Sequence, residues 1–416
     1  MRYLKVSLFI GLFVSVLVIV LFETGLLHQF DQTLARLLGY RGAPPVDRTL
    51  HYALAVFFAF GIAWTTIDVP RDSLKLVIAG VALGQIITLV WVLNLGRTFF
   101  SPFPSLIAIA LSGLVGLFYA QTEAGSRKRL LRQVLGDRVS YSTFRSLLDA
   151  PTPLLLEGER REVTVVVCEI FNHDDLESAL AAPEYVALTN SFRRNAAELL
   201  VERGGYLDEC DGESVRVIFG APLADLRHAA TACAAALALV ERLVEVNREC
   251  HTVWKQMFDF RLGVNSGEMT LAAYGSRRLG AYSVAGEPAE FARRLCRANL
   301  IYGTRVLLGS QSSVLAEDSI EVRPMELIQR ADDGSREEIY ELLAPRHALS
   351  EEALERRDTF WRAVIRYREQ TWDEALALFH SARSPGGADG PVEFYIRRIE
   401  QLRAGLPALD WNTARL

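Results

Sequence analysis

Uninterrupted apolar runs constrain a chain more than any other pattern, because a backbone in lipid must satisfy its own hydrogen bonds and a helix of about 20 residues does so. Four such runs occupy the first third of this 416-residue sequence, at 6–22, 50–67, 76–96 and 103–119. A cleavable signal peptide accounts for the first alone. The expectation is therefore a four-helix transmembrane region over 1–122, with both ends on one side. Arg2 and Lys5 precede the first run, Arg71 and Lys75 separate the second from the third, and Arg127, Lys128, Arg129 and Arg132 follow the fourth. The positive-inside rule places these segments in the cytoplasm, against a weaker opposing set of Arg36, Arg41, Arg48 and Arg97. The chain is thus expected to be a multi-pass protein of the inner (plasma) membrane with its later domains cytoplasmic. Short connections leave no room for a sizeable external domain, and Glu23, Gln85 and Asn94 read either as lining between helices or as interface residues.

Past the last run the pattern turns charged and amphipathic. Leu130, Leu131, Val134, Leu135, Val139, Phe144, Leu147 and Leu148 form an apolar stripe, so 123–158 is expected to be a linker helix that ends at Pro151, Pro153 and Gly158. It is read as a dimerising helix or as a plain spacer. Strands then alternate with helices: strands at 163–169, 260–264, 269–274 and 281–285, a hairpin over 204–220, and helices at 183–203, 226–247 and 287–299. This alternation points to a mixed α/β sandwich over 159–345.

Two acids stand beside strand-like runs in that domain, Glu169 after 163–167 and Glu213 before 215–219. Paired carboxylates at strand ends suit a hard divalent cation next to phosphate oxygens, and they also suit plain surface acids; the spacing leaves both open. A net charge of −5 without a basic patch argues against a nucleic-acid partner. The five cysteines, Cys168, Cys210, Cys233, Cys250 and Cys296, lack metal or redox spacing and read as apolar filler in a reduced compartment.

The segments 161–170 (REVTVVVCEI), 204–208 (GGYLD), 217–222 (VIFGAP), 261–268 (RLGVNSGE) and 282–287 (YSVAGE) resemble, in order and interval, the catalytic domains of class III adenylate/guanylate (nucleotidyl) cyclases. The resemblance implies a ferredoxin-like α/β core that works as a dimer, with Mg²⁺ or Mn²⁺ and a nucleoside triphosphate at the dimer interface if the protein is active. It also assigns roles by position. The two metal aspartates match Glu169 and Glu213. The phosphate-wrapping Gly-Phe-Thr matches Asn172, His173 and Asp174, followed by Asp175. The base-reading lysine matches Glu209 and its partner matches Ser283. The transition-state asparagine matches Glu290, and the transition-state arginine matches Arg294. Glutamate keeps a metal-binding carboxylate, but acids in place of lysine and asparagine reverse a charge and remove donors. Glu290 and Arg294, one helical turn apart, are expected to pair with each other.

Residues 346–416 read as an all-α, tetratricopeptide-like tail of about one and a half helical hairpins, which must cover its apolar face on the α/β domain or on a second copy. Three functions follow from these residues. The first is a membrane-anchored, degenerate cyclase-like signalling protein, regulatory or paired as a homodimer or as a heterodimer with a complete cyclase chain. The second is an active cyclase with altered substrate or metal preference, and the third is an acidic module that binds a cation or other ligand.

Overall fold

In the computed structural model, residues 2–37, 39, 46–69, 72–96, 98–120, 130–150, 154–275, 281–329, 334–384, 386 and 389–405 are described. The chain divides into two units, Met1–Gln133 and Val134–Leu416.

In the first unit every apolar run folds as a helix: α1 (Arg2–Glu23), α3 (Arg48–Asp68), α4 (Asp72–Leu95) and α5 (Phe103–Ala120), with an amphipathic α2 (His28–Leu37) after α1. Three helices, Lys5–Glu23, Arg48–Ile67 and Ser73–Leu93, are long and apolar enough to cross a membrane; the fourth apolar stretch, Phe103–Tyr119, is shorter. Small residues let α1, α3 and α5 approach closely, with Ala55, Ala59, Ala63 and Ala108 buried beside Val14 and Val18. A Cβ at Gly11 would lie 2.5 Å from the Phe60 ring and one at Gly116 only 2.0 Å from Thr66 Oγ1. Close packing of this kind holds helices together where lipid removes the hydrophobic drive between them. Phe9, Phe13, Ile87, Trp91 and Phe118 stay exposed on the outside, and Gln85 is exposed too. The side chain of Asn94 lies outside the described residues.

The linker differs from its expected form. Its stretch 121–129 and prolines 151 and 153 lie outside the described residues, but 130–135 is helical and the chain then turns at Gly136, whose φ is +55°. A new helix, α6 (Tyr141–Asp149), starts where Ser140 Oγ accepts from the backbone N–H of Thr143 at 3.2 Å. A left-handed glycine followed by an N-cap serine ends one helix and begins another, so the single linker helix is broken at 136–140. Between them, Arg138 is stitched to the edge of the sheet: its carbonyl accepts from Leu207 N at 2.8 Å and its guanidinium donates to the Asp208 carbonyl at 2.9 Å.

The sheet of the second unit comprises β1 (Glu159–Ile170), β2 (Tyr206–Cys210), β3 (Ser214–Phe219), β4 (Phe260–Tyr274), β5 (Ala281–Ala285), β6 (Val306–Leu308), β7 (Ile320–Gln329) and β8 (Arg336–Pro345). Its order is β2-β3-β1-β4-β6-β8-β7, with β5 also paired to β4; β4 and β6 run parallel and the other pairs among the described residues antiparallel. The short α7 (His173–Ala179) leads from β1 into α8 (Ala182–Glu202), and α9 (His228–Trp254) follows β3. Leu188 and Phe192 of α8 and Leu239 and Leu243 of α9 bury one face of the sheet through Val166, Cys168, Leu262 and Val264. Helix α10 (Glu287–Tyr302) lies on the other face, and α11 (Ser310–Leu315) follows β6.

One strand, not two, runs through 260–274. The Asn-Ser-Gly sequence at 265–267 has the composition of a turn, yet β1 pairs with β4 along its whole length, up to Glu159 opposite Leu271, and keeps it extended. Gly267 is small for a different reason: a Cβ there would lie 2.7 Å from Pro288 of α10.

The tail forms three helices, α12 (Glu351–Arg368), α13 (Trp372–Ala382) and α14 (Gly390–Arg403). Phe360, Phe379 and Tyr395 are buried with Phe291, Leu295 and Tyr302 of α10 and Met325 and Ile328 of β7. The tail thus covers its apolar face on the α/β domain. Arg323 fastens it at a polar point, reaching the Asp389 carboxylate before α14 at 3.0 Å and the Glu341 carboxylate through Nε at 2.8 Å.

Candidate functional site

Directly opposed residues of neighbouring strands project to the same face of a sheet. Register therefore lines up Glu209, Arg216, Val167 and Gly263 across β2, β3, β1 and β4, with Ser214, Glu169 and Arg261 in the next row. Gly263 decides how α10 lies on this face, since a Cβ there would sit 2.0 Å from the Ala292 carbonyl oxygen and 2.4 Å from Cys296 N. Backbone on both sides makes that approach rigid. Asn265 pins the start of the helix by donating to the Pro288 carbonyl at 2.9 Å.

Arg216 is the hub of the face. It is 6% exposed and donates through Nε to the Asp208 carboxylate at 2.7 Å, while its Nη2 lies 2.6 Å from Glu209 and its Nη1 3.9 Å from Glu290. Adjacent residues of a regular strand face opposite ways, but the register shifts between Leu207 and Glu209, and this bulge lets both Asp208 and Glu209 reach one guanidinium. The second oxygen of Glu209 accepts from Arg293 at 2.8 Å. Burial pulls the Arg293 guanidinium down, but Glu209, Glu290 and Glu169 outweigh it and hold the group above its ordinary value.

Glu169, at the end of β1, is 8% exposed, and its Oε2 lies 3.4 Å from Arg297 Nε. Burial raises its carboxyl above the usual glutamate range, with Asp211 adding to the rise and Arg297 and Arg293 opposing it. Glu213 stands half-exposed in the β2–β3 turn with Oε1 3.7 Å from His173 Nε2. That turn is built by Asp211, which accepts from the N–H groups of Glu213 and Ser214 at 3.0 and 2.7 Å. Burial pushes the Asp211 carboxyl up, yet these bonds and the Ser214 hydroxyl hold it lowered overall.

The residues matched to a phosphate wrap do other things. Asn172 clamps 257–259, donating to the Met257 carbonyl at 2.9 Å and accepting from Asp259 N at 2.7 Å. His173 and Asp174 open α7, where His173 Nε2 is 3.3 Å from the exposed Asp174 carboxylate and Asp175 shares the first turn. Acids suit a helix start, and the same acids disfavour a phosphate there. Ser283 sits on β5 opposite Ala272, and β5 is tied towards β2 by the Tyr206 hydroxyl bonding to the Tyr282 carbonyl.

The expected pairing of Glu290 with Arg294 is corrected. Arg294 binds Glu287 and stacks 5.5 Å over the Phe291 ring, while Glu290 faces Arg216. Residues seven apart on a helix fall on nearly the same face. Glu287 and Arg294 share one face of α10, and Glu290, Arg293 and Arg297 share another, which meets the sheet acids.

The described residues do not complete a divalent-cation site by themselves. Hard cations take carboxylate oxygens free of cationic partners, whereas Glu169 is held by Arg297, and no group of three His, Cys, Asp or Glu gathers as a metal site among the described residues. Sequence reasoning missed Asp208, Asp211, Arg216, Arg293 and Arg297. The bulge hid Asp208, but the spacing of Glu290, Arg293 and Arg297 on one helix carried a readable signal for the last two.

Residues 157–315 match the family described as the adenylate and guanylate cyclase catalytic domain. Over 184 residues the chain is 28% identical to adenylate cyclase 1 of Rhizobium meliloti (strain 1021), a match covering 44% of this chain and 28% of that protein. It is also 30% identical over 157 residues to an uncharacterized protein of Mycobacterium bovis, covering 38% of this chain and 26% of that one. The chain thus spans about a quarter of the length of these relatives. Among solved structures, the guanylyl cyclase Cya2 is 24% identical with a TM-score of 0.43, covering 46% of this chain and 98% of that chain. The adenylyl cyclase CyaB from P. aeruginosa is 22% identical with a TM-score of 0.43, covering 47% of this chain and all of that chain. Residues 157–315 are thus similar to adenylate and guanylate cyclase catalytic domains.

Proposed function

We propose that this chain is a membrane-anchored cyclase-fold subunit in cyclic-nucleotide signalling whose own nucleotide site is degraded, so that it acts as a regulatory subunit or as one half of a dimer. One observation carries the reading: Glu209 and Glu290, where the family places its base-reading and transition-state donors, are acids that face Arg216 and Arg293. A nucleoside triphosphate meets carboxylates there in place of donors. Both side chains are partly exposed, so each charge interaction is worth about 1 kcal/mol, yet reversing two of them opposes an incoming triphosphate and removes the donors as well.

The apolar helices anchor the chain in the inner membrane, Phe103–Tyr119 being the fourth crossing, and the Lys/Arg distribution supports a cytoplasmic cyclase-type domain. Dimerisation with a second copy or with a complete cyclase is the arrangement that gives a half-site a use. Mg²⁺ or Mn²⁺ would then be held with the partner's help.

The test uses the full chain in lipid nanodiscs, incubated with labelled ATP or GTP and Mn²⁺ or Mg²⁺. Cyclic nucleotide no higher than in a protein-free control is expected. Turnover of about 1 per second or more would overturn the reading.

A further inference from the structure

Within the N-terminal unit, the end of α1, the polar side of α2, the start of α3 and residues 99–101 enclose a cavity of about 410 Å³. This is within the size range of small-molecule sites, roughly 300–1,000 Å³. We propose that it binds a small organic cation, a protonated amine carried on an apolar body.

One wall is aromatic. His51 is 3% exposed, its ring lies 5.1 Å from the Phe22 ring and stacks at 4.7 Å on Phe100, and its Nδ1 has no hydrogen-bond partner. Phe22, His51 and Phe99 line the cavity, and Phe100 stacks on the His51 ring without lining it. The facing wall is acidic and comes from α2, whose Phe30 and Leu37 point outwards. Its Asp31 bonds to the Ser101 hydroxyl, and burial holds the carboxyl raised although Ser101 and His28 act to lower it. His28 is engaged with the amide nitrogen of Gln32 at 3.0 Å, a bond in which the ring accepts.

The charges select the sign of the ligand. Glu23, Asp31 and Arg48 line the cavity, and Arg48 is already bound to Glu23 at 3.1 Å with its side chain 71% exposed. Glu23 also takes the Tyr52 hydroxyl. Among the described residues Asp31 is the lining carboxylate to which no guanidinium is bonded, and an anion would meet net negative charge there. An ammonium group answers Asp31 by a charge-assisted hydrogen bond, and its body lies against aromatic faces that favour cations.

The probe is tritiated phenethylamine, measured by equilibrium dialysis against the full chain in phosphatidylcholine nanodiscs, with empty nanodiscs subtracted. Saturable binding at one site per chain is expected, with phenylacetate and 2-phenylethanol failing to compete. Asp31→Asn and His51→Phe, which keep size and ring, should each weaken binding about tenfold or more, while the melting temperature of the chain identifies any variant that fails to fold. Gln32→Leu is the further variant if one of these does not fold. Absence of saturable binding up to on the order of 10 mM amine would overturn the proposal. So would equal competition by the carboxylate or the alcohol, or unchanged affinity in the folded variants.

Discussion

Reversing the charge at Glu209 tests whether the acids of the α10 face are structural partners. Glu209 holds Arg216 at 2.6 Å through one oxygen and Arg293 at 2.8 Å through the other. Glu209→Lys replaces two attractions by two repulsions. Arg216 is buried and bonded to Asp208, so it has no way to turn into solvent. The side chain of Glu209 is 42% exposed, so each pair is worth about 1 kcal/mol and not the roughly 4 kcal/mol of a drier pair at the same distance. Two attractions lost and two repulsions gained give about 2–4 kcal/mol. A domain of 150–250 residues shifts by about 2–4 °C per kcal/mol, so the melting temperature should fall by about 5–15 °C. Melting of the detergent-solubilised chain, followed by far-ultraviolet circular dichroism, measures this. Part of the loss should return in 1 M salt, where the Debye length falls to about 3 Å, and part on adding Arg293→Glu. A variant as stable as the parent at low salt would refute the reasoning and reopen Glu209 as an unconstrained site residue.

Two further outcomes test the same face. Because the Glu169 carboxyl is raised, the folded chain binds more protons than the unfolded chain from about the ordinary glutamate value, 4.5, up to the raised folded value. In that window the residue's contribution to stability falls as pH rises, and above it the loss is complete. Glu169→Gln should therefore melt higher than the parent near neutral pH, with the advantage vanishing towards pH 4; an advantage independent of pH would contradict the assignment. Gly263→Ala drives a methyl group into the backbone of α10, and overpacking of this kind costs about 1–3 kcal/mol or more. Loss of stability together with new protease cleavage within 287–302 is the expected result, and an unperturbed melt would show that α10 is free to move.

The sequence displayed β1, the β2–β3 hairpin, β5, α8, α9 and α10 because periodicity and turn residues agreed with the fold, whereas β6, β7 and β8 were not read from it. It misled where a tertiary contact overrode composition. Asn265, Ser266 and Gly267 look like a turn and are strand, since β1 holds them extended and Gly267 makes room for Pro288. The linker stripe read as one helix because apolar spacing says little about a single left-handed glycine, and Gly136 supplies the break. At the site, the acids at Glu169, Glu209, Glu213 and Glu290 could be read directly, but their arginine partners could not. Arg216 pairs with Glu209 through strand register, and the bulge that adds Asp208 to the same guanidinium leaves no trace in a pattern of alternation.

The pairing itself bears on what the face is for. These pairs are partly exposed and individually weak, about 1 kcal/mol or less each, so what matters is how many of the acids meet a cation. Here Glu209 meets two guanidiniums, Glu169 meets Arg297, and Glu290 lies 3.9 Å from Arg216. Three arginines contributed by β3 and α10 meet four acids contributed by β1, β2 and α10. Among the described residues Asp208 Oδ1 and Arg293 Nε stay without a hydrogen-bond partner, and a triphosphate entering the network would oppose the acids and compete for the arginines. We read the face as an internal charge network in which Glu209, Glu290, Arg216 and Arg293 act together, so changing any one alters the surroundings of its partners.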